Sequence, residues 1–175
     1  MQRILVGGSS GAGKSTMARR LAVRLDLRYV EVDSLFHGPG WTERAEFVDD
    51  VTAVVAGARW VIDHDYDVAC GVVWPRLDTF VWLDYPRWLT EWRVVRRSLV
   101  RGLLRQELWN GNRESLRNLL REPDHPVRWS WRYHADKRAH FEEITRRPEN
   151  AHVQVIRFST PAEARRWLAA VPPNS

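Results

Sequence analysis

The chain of 175 residues has a single cysteine, Cys70, and only two lysines, Lys14 and Lys137, among its 27 basic residues. One cysteine excludes a disulfide framework and a cysteine-rich metal site. No apolar run approaches the ~20 residues of a membrane span. From Met1 the chain enters an apolar strand without a signal-like stretch, so a cytoplasmic protein with no membrane association is expected. Internal repeats and low-complexity tracts are absent, and His125, His134 and His140 lack ligand-like spacing, so no metal is assigned to them. With 44% hydrophobic and 28% charged residues, the chain can bury one ordinary core, and a single domain over 1–175 is expected. A net charge of +5 and a pI near 10.0 favour an anionic partner.

The scarcity of lysine makes Lys14 conspicuous. It lies in Gly8-Ser9-Ser10-Gly11-Ala12-Gly13-Lys14-Ser15, which fits G-x-x-x-x-G-K-[ST], the phosphate-binding P-loop. Ile4 to Val6 reads as a buried strand leading into the glycines, and Ser15 to Leu25 as a helix leading out. Such a turn aims backbone N–H groups and a helix N-terminus at one point. A compact ammonium reaches the β and γ phosphates where a planar guanidinium would not fit. Gly8, Ser9, Ser10, Gly11, Ala12, Gly13, Lys14, Ser15 and Thr16 are therefore the expected nucleotide-binding residues. ATP is the expected ligand and accounts for part of the basic charge. There is no N-K-x-D segment of a guanine-specific switch protein and no recognisable DNA-binding motif, so nucleic acid is not expected as a partner.

Strand-like and helix-like segments alternate along the chain, which predicts a parallel sheet wrapped by helices. Strands are expected over Arg28–Val32, Trp60–Ile62, Thr79–Leu83 and His152–Phe158. Thr42 is the expected N-cap of a helix through Ala58, after the break at Gly38-Pro39-Gly40. A long arginine-rich helix is expected from about Pro86, another from Val127 to Arg146, and a last one capped by Thr160-Pro161. Trp60, Trp74, Trp82 and Trp167 read as core; Trp41 reads as core packing in preference to stacking on a ligand.

The glycine loop, "VEVDSLF", "WVIDHDY", "TFVWLDYPRW" and the arginine-spaced helix together resemble the adenylate-kinase-like P-loop kinases. The nearest branch resembles the small bacterial proteins described as DNA topology modulation-related or adenylate kinase-like ATPases. The resemblance covers nearly the whole chain. It implies a three-layer α/β fold with a five-stranded parallel sheet in order 2-3-1-4-5, an acceptor-binding region over 34–59, and a helical, arginine-rich lid over about 98–130. It also implies that Arg93 and Arg97 stack on the adenine and clamp the phosphates. Arg101, Arg105 and Arg113 would then serve the lid and neutralise charge on the transferring group.

The residues themselves suggest the remaining roles. Arg93, Arg97, Arg101 and Arg105 follow one another at four-residue spacing, so like charges share a helix face and repel unless a polyanion sits among them; a solvated basic face is the other reading. Asp63 ends a strand beside the loop, where it could hold Mg²⁺ with Ser15 directly or through water. Asp33, two residues after Glu31, ends the second strand and could take the proton of an attacking hydroxyl. Either aspartate could instead cap a turn. The stretch from Glu107 to Glu114, centred on Asn110-Gly111, reads equally as a hinge of a closing lid or as a helix-to-helix turn.

From Asp33 to Tyr66 the chain holds Glu43, Glu46, Asp49, Asp50, Asp63 and Asp65 against only Arg44 and Arg59. That is a poor setting for an acceptor phosphate. The expected activity is therefore ATP- and Mg²⁺-dependent transfer to a hydroxyl-bearing nucleoside, sugar or antibiotic. "GGSS" followed by "VDSL" is similar to antibiotic-modifying phosphotransferases of this superfamily. A nucleoside monophosphate kinase, or a nucleotide-dependent nucleic-acid-binding ATPase, stands as the alternative.

Overall fold

The computed structural model describes residues 1–63, 66–104 and 126–174, with 101–104 and 126–130 as backbone alone. β1 (Arg3–Gly8) passes through the glycine turn into α1 (Lys14–Leu25). β2 (Arg28–Val30) leads to α2 (Val32–Phe36), α3 (Phe47–Val55) and β3 (Trp60–Ile62). A helical connection around α4 (Cys70–Val73) reaches β4 (Thr79–Leu83), which is followed by α5 (Arg87–Leu104). α6 (Pro126–Arg146), β5 (Gln154–Phe158) and α7 (Pro161–Ala170) complete the described chain. The sheet has the order β2-β3-β1-β4-β5 with parallel pairs throughout.

Period-two alternation divides the core into two layers, one on each face of the sheet. Ile4, Val6, Val81 and Leu83 join Met17, Leu21 and Leu168 in one cluster, whereas Leu5, Phe80 and Trp82 join Phe47, Val51 and Phe141 in the other. Helices therefore cover both faces, as the apolar runs in β3 and β4 require. Trp60, Trp74 and Trp82 are buried, and Trp167 packs partly buried against the first cluster. No described helix is long and apolar enough to cross a membrane.

Four boundaries differ from the sequence expectation. The second strand stops at Val30 because the Asp63 carboxylate captures the Val32 N–H at 3.2 Å and the Ser34 amide turns back to the Glu31 carbonyl. Asp33 consequently stands in the first turn of α2, not at a strand end. Thr42 caps no helix. Its hydroxyl donates to the Pro39 carbonyl at 2.9 Å, its own carbonyl accepts from Gly38, and the next helix starts at Phe47 and ends at Val55. The fifth strand starts at Gln154, after a 3₁₀ turn over Pro148–Asn150 held by the Asn150 side chain on the Ile144 carbonyl.

The helical connection from Asp67 to Arg76 has no counterpart in the sequence reading. Its residues include strand formers, but Ala69, Val73 and Trp74 recur at helical spacing and pack in one cluster. At α7 the expected cap is present and more complete. The Glu163 amide donates to the Thr160 hydroxyl, and the Glu163 carboxylate accepts from the Thr160 amide.

Candidate active site

The glycines at the end of β1 take conformations that side chains disfavour: φ is 145° at Gly8, 79° at Gly11 and 94° at Gly13. Gly11 also lies against α5, where a Cβ would meet the Thr90 carbonyl at 2.3 Å. Gly13 is the N-cap of α1, with no side-chain cap and no acidic residue in the first turn. The leading N–H groups of a 12-residue helix thus face the loop without a protein anion on them, which suits a phosphate.

Lys14 lies half-buried and folds back over the loop, its Nζ donating to the Ser9 carbonyl at 3.2 Å. Burial lowers its ammonium from 10.5 to about 8; Asp33 and Asp63 oppose this, while Arg97 and Lys137 add to it. Two of the expected arginines reach the same loop. Arg93 Nη1 is 3.4 Å from the carbonyls of both Gly11 and Ala12, and Arg97 Nη2 donates to Ser10 Oγ at 3.2 Å. An uncapped helix start, a destabilised ammonium and two guanidiniums at one loop fit a triphosphate.

The carboxylates hold the other wall. Asp63, buried at the end of β3, accepts from the Tyr29 hydroxyl at 2.9 Å through one oxygen and from the Val32 amide through the other. It therefore fixes the turn that carries Asp33. Asp33 accepts from the Tyr66 hydroxyl at 2.8 Å. Burial, followed by the charge and hydrogen bond of the facing aspartate, pushes both tyrosines well above their ordinary range, so each stays a donor. Tyr66 stacks on Phe36 with ring centres 4.1 Å apart, and Phe47 meets both rings edge-on.

Trp41 departs from expectation. It is 40% exposed, edge-on to His37, and has φ of 61°, a left-handed conformation that strains a bulky residue. The loop Gly38–Thr42 holds it outside the core because Gly40 before it is also left-handed. Lys137 has no role in the sequence reading. It reaches the field of Lys14 from α6, and its only signal in the sequence is that it is the second lysine.

Ser15 and Thr16 occupy the first turn of α1, Ser15 half-buried and Thr16 exposed. Arg101 is placed by backbone alone near the end of α5. Arg105, Arg113, Asp65 and the stretch Glu107–Glu114, hence most of the expected lid, lie outside the described residues.

No family model matches the chain. Over 86 aligned positions, covering 46% of this chain, it is 41% identical to a bifunctional pantoate ligase/cytidylate kinase of Gloeobacter violaceus. The chain spans only 15% of the length of that protein. Among solved structures, a gluconokinase from Sinorhizobium meliloti 1021 superposes with a TM-score of 0.55 at 14% identity, over 97% of this chain and 90% of its own. A deoxyadenosine kinase from M. mycoides with bound dCTP gives 0.50 at 11% identity, over 95% and 96%. The fold is that of a P-loop kinase. Its strand order is the one the resemblance implied.

Proposed function

We propose that the protein is an ATP- and Mg²⁺-dependent phosphotransferase whose acceptor is a small molecule bearing a hydroxyl group, such as a nucleoside, a sugar or an antibiotic. In this reading the loop amides and Lys14 hold the β and γ phosphates, and Arg93 and Arg97 neutralise charge on the transferring group. Ser15 and Asp63 would hold Mg²⁺, Asp63 directly or through water. The ion would supply further charge neutralisation when bound. Asp33, oriented by Tyr66, takes the proton of the attacking hydroxyl, while the rings of Phe36 and Tyr66 offer an apolar face to the acceptor.

One observation carries the choice of acceptor: both arginines of the acidic stretch are already engaged. Arg44 pairs with Asp50 at 2.9 Å and donates to the Leu35 carbonyl. Arg59 donates to the carbonyls of Leu25 and Asp26, at the far end of α1 from the loop. An acceptor phosphate would meet Asp33 without either of them. The partial match to a protein whose name includes cytidylate kinase favours a second reading, a nucleoside monophosphate kinase.

A coupled assay with ATP, Mg²⁺ and matched panels of nucleosides, sugars, aminoglycoside-type compounds and nucleoside monophosphates separates the two. Turnover of a non-phosphorylated acceptor is expected. A kcat/KM of about 10⁴ M⁻¹s⁻¹ or above for any monophosphate would make the second reading the better one.

A further inference from the structure

Away from the phosphate loop, three residues with metal-ligating atoms converge from two elements. Asp67 and Cys70 lie one helical turn apart, with the Cys70 amide donating to the Asp67 carbonyl, and α6 brings His140 across to them. A single imidazole nitrogen, His140 Nε2, faces both partners: Cys70 Sγ at 3.9 Å and Asp67 Oδ1 at 3.9 Å. The three ligand atoms lie within 4.8 Å of one another.

We propose that Asp67, Cys70 and His140 form a binding site for a borderline-soft divalent cation of the zinc class, separate from any Mg²⁺ at the phosphate loop. Thiolate and imidazole around tetrahedral zinc stand about 3.5 Å apart, from bond lengths of about 2.3 and 2.0 Å. The two pairs that include His140 close by a few tenths of an ångström, and the Asp67–Cys70 pair, within 4.8 Å, closes by movement of the exposed Asp67 side chain. The donor set decides the class of metal. Mg²⁺ and Ca²⁺ take oxygen ligands, whereas one sulfur, one nitrogen and one oxygen suit Zn²⁺ or Co²⁺ with water completing the shell.

The local field already draws a cation, since Lys137 Nζ stands 3.5 Å from Asp67 Oδ1 with its side chain mostly covered. A divalent ion between the three ligands displaces that ammonium from Asp67. On binding, Cys70 gives its proton to solvent and its contact with the Tyr66 carbonyl, 3.6 Å away, is lost. His140 coordinates through Nε2 in its neutral form, with the ring proton on Nδ1. The bound ion ties the connection after β3 to α6, so it also stabilises the fold by binding only the folded state.

The test is a titration of the full chain with Co²⁺ under reducing conditions. One equivalent is expected to give a thiolate-to-cobalt charge-transfer band in the near ultraviolet and d–d bands of tetrahedral intensity. A cation at the oxygen-rich phosphate end gives no thiolate band, so the two locations are distinguishable whatever becomes of the kinase reading. Cys70→Ser should abolish the band, and His140→Ala should weaken Co²⁺ binding at least about tenfold. No thiolate band from the parent at saturating Co²⁺, a band that persists in Cys70→Ser, or unchanged affinity in His140→Ala would overturn the proposal.

Discussion

At Lys14, desolvation works against the protein until an anion arrives. With its ammonium lowered to about 8, the folded chain binds fewer protons than the unfolded chain between that value and 10.5, so this residue makes stability rise with pH across that window. Phosphates at the loop reverse the preference by raising its pKa. Nucleotide affinity is therefore expected to be full below about pH 8 and to fall as pH rises through it, by at most about tenfold per unit for one proton. Calorimetry with ATP across that range measures the slope. Lys14→Ala should lose both the slope and most of the affinity while keeping the circular dichroism of the parent, and Lys14→Arg should fail likewise. The aspartates beside it should separate. Asp63→Asn loses an acceptor facing the Tyr29 hydroxyl or the Val32 amide, so it should lower stability by about 1–3 kcal/mol and weaken Mg²⁺ use, with partial rescue by excess metal. Asp33→Asn should spare nucleotide binding and lower the transfer rate by roughly 10²- to 10⁴-fold. Equal loss of nucleotide affinity in both variants would end this division of roles.

At the scale of elements, the phosphate loop is shaped as much by α5 as by its own glycines. The Thr90 carbonyl closes on Gly11 from the helix, and Arg93 and Arg97 one and two turns later lie over the same loop. Gly11→Ala combines that clash with a disfavoured φ. It is expected to cost about 1–3 kcal/mol in urea unfolding and to weaken ATP binding in parallel. Thr160→Ala, which removes the cap of α7 far along the chain, should cost about 1 kcal/mol with ATP affinity unchanged, and so serves as the control. The same contrast explains what could be read in advance. β1, β3, β4, the loop and the Thr160 cap were legible because each is signalled by a few adjacent residues: an apolar run, a glycine pattern, a Thr-Pro pair. The end of β2 was not, because a carboxylate from β3 sets it through the Val32 amide. The approach of Lys137 to Asp67 and of His140 to Cys70 was invisible for the same reason, since α6 delivers both from far along the chain.

At the scale of the whole molecule, several of the described arginines are engaged in internal bonds. Arg157 donates to Asp84 at 2.6 Å and stacks on Trp82, Arg138 meets the same carboxylate at 3.3 Å, Arg19 pairs with Glu31, and Arg147 with Glu143. Several of these pairs are exposed and individually weak. On α5, Arg93 and Arg97 turn to the phosphate loop. Sheet, loop and α5 meet there, so a nucleotide bound at that point should stabilise the molecule as one unit. At a free ATP concentration about 100 times Kd the gain is about 2.7 kcal/mol. For a domain of this length that corresponds to a rise in Tm of roughly 5–11 °C, at about 2–4 °C per kcal/mol. Differential scanning fluorimetry with ATP and Mg²⁺ should show this rise in the parent and in Asp33→Asn, but not in Lys14→Ala. An equal rise in Lys14→Ala would mean that the nucleotide binds somewhere other than the loop.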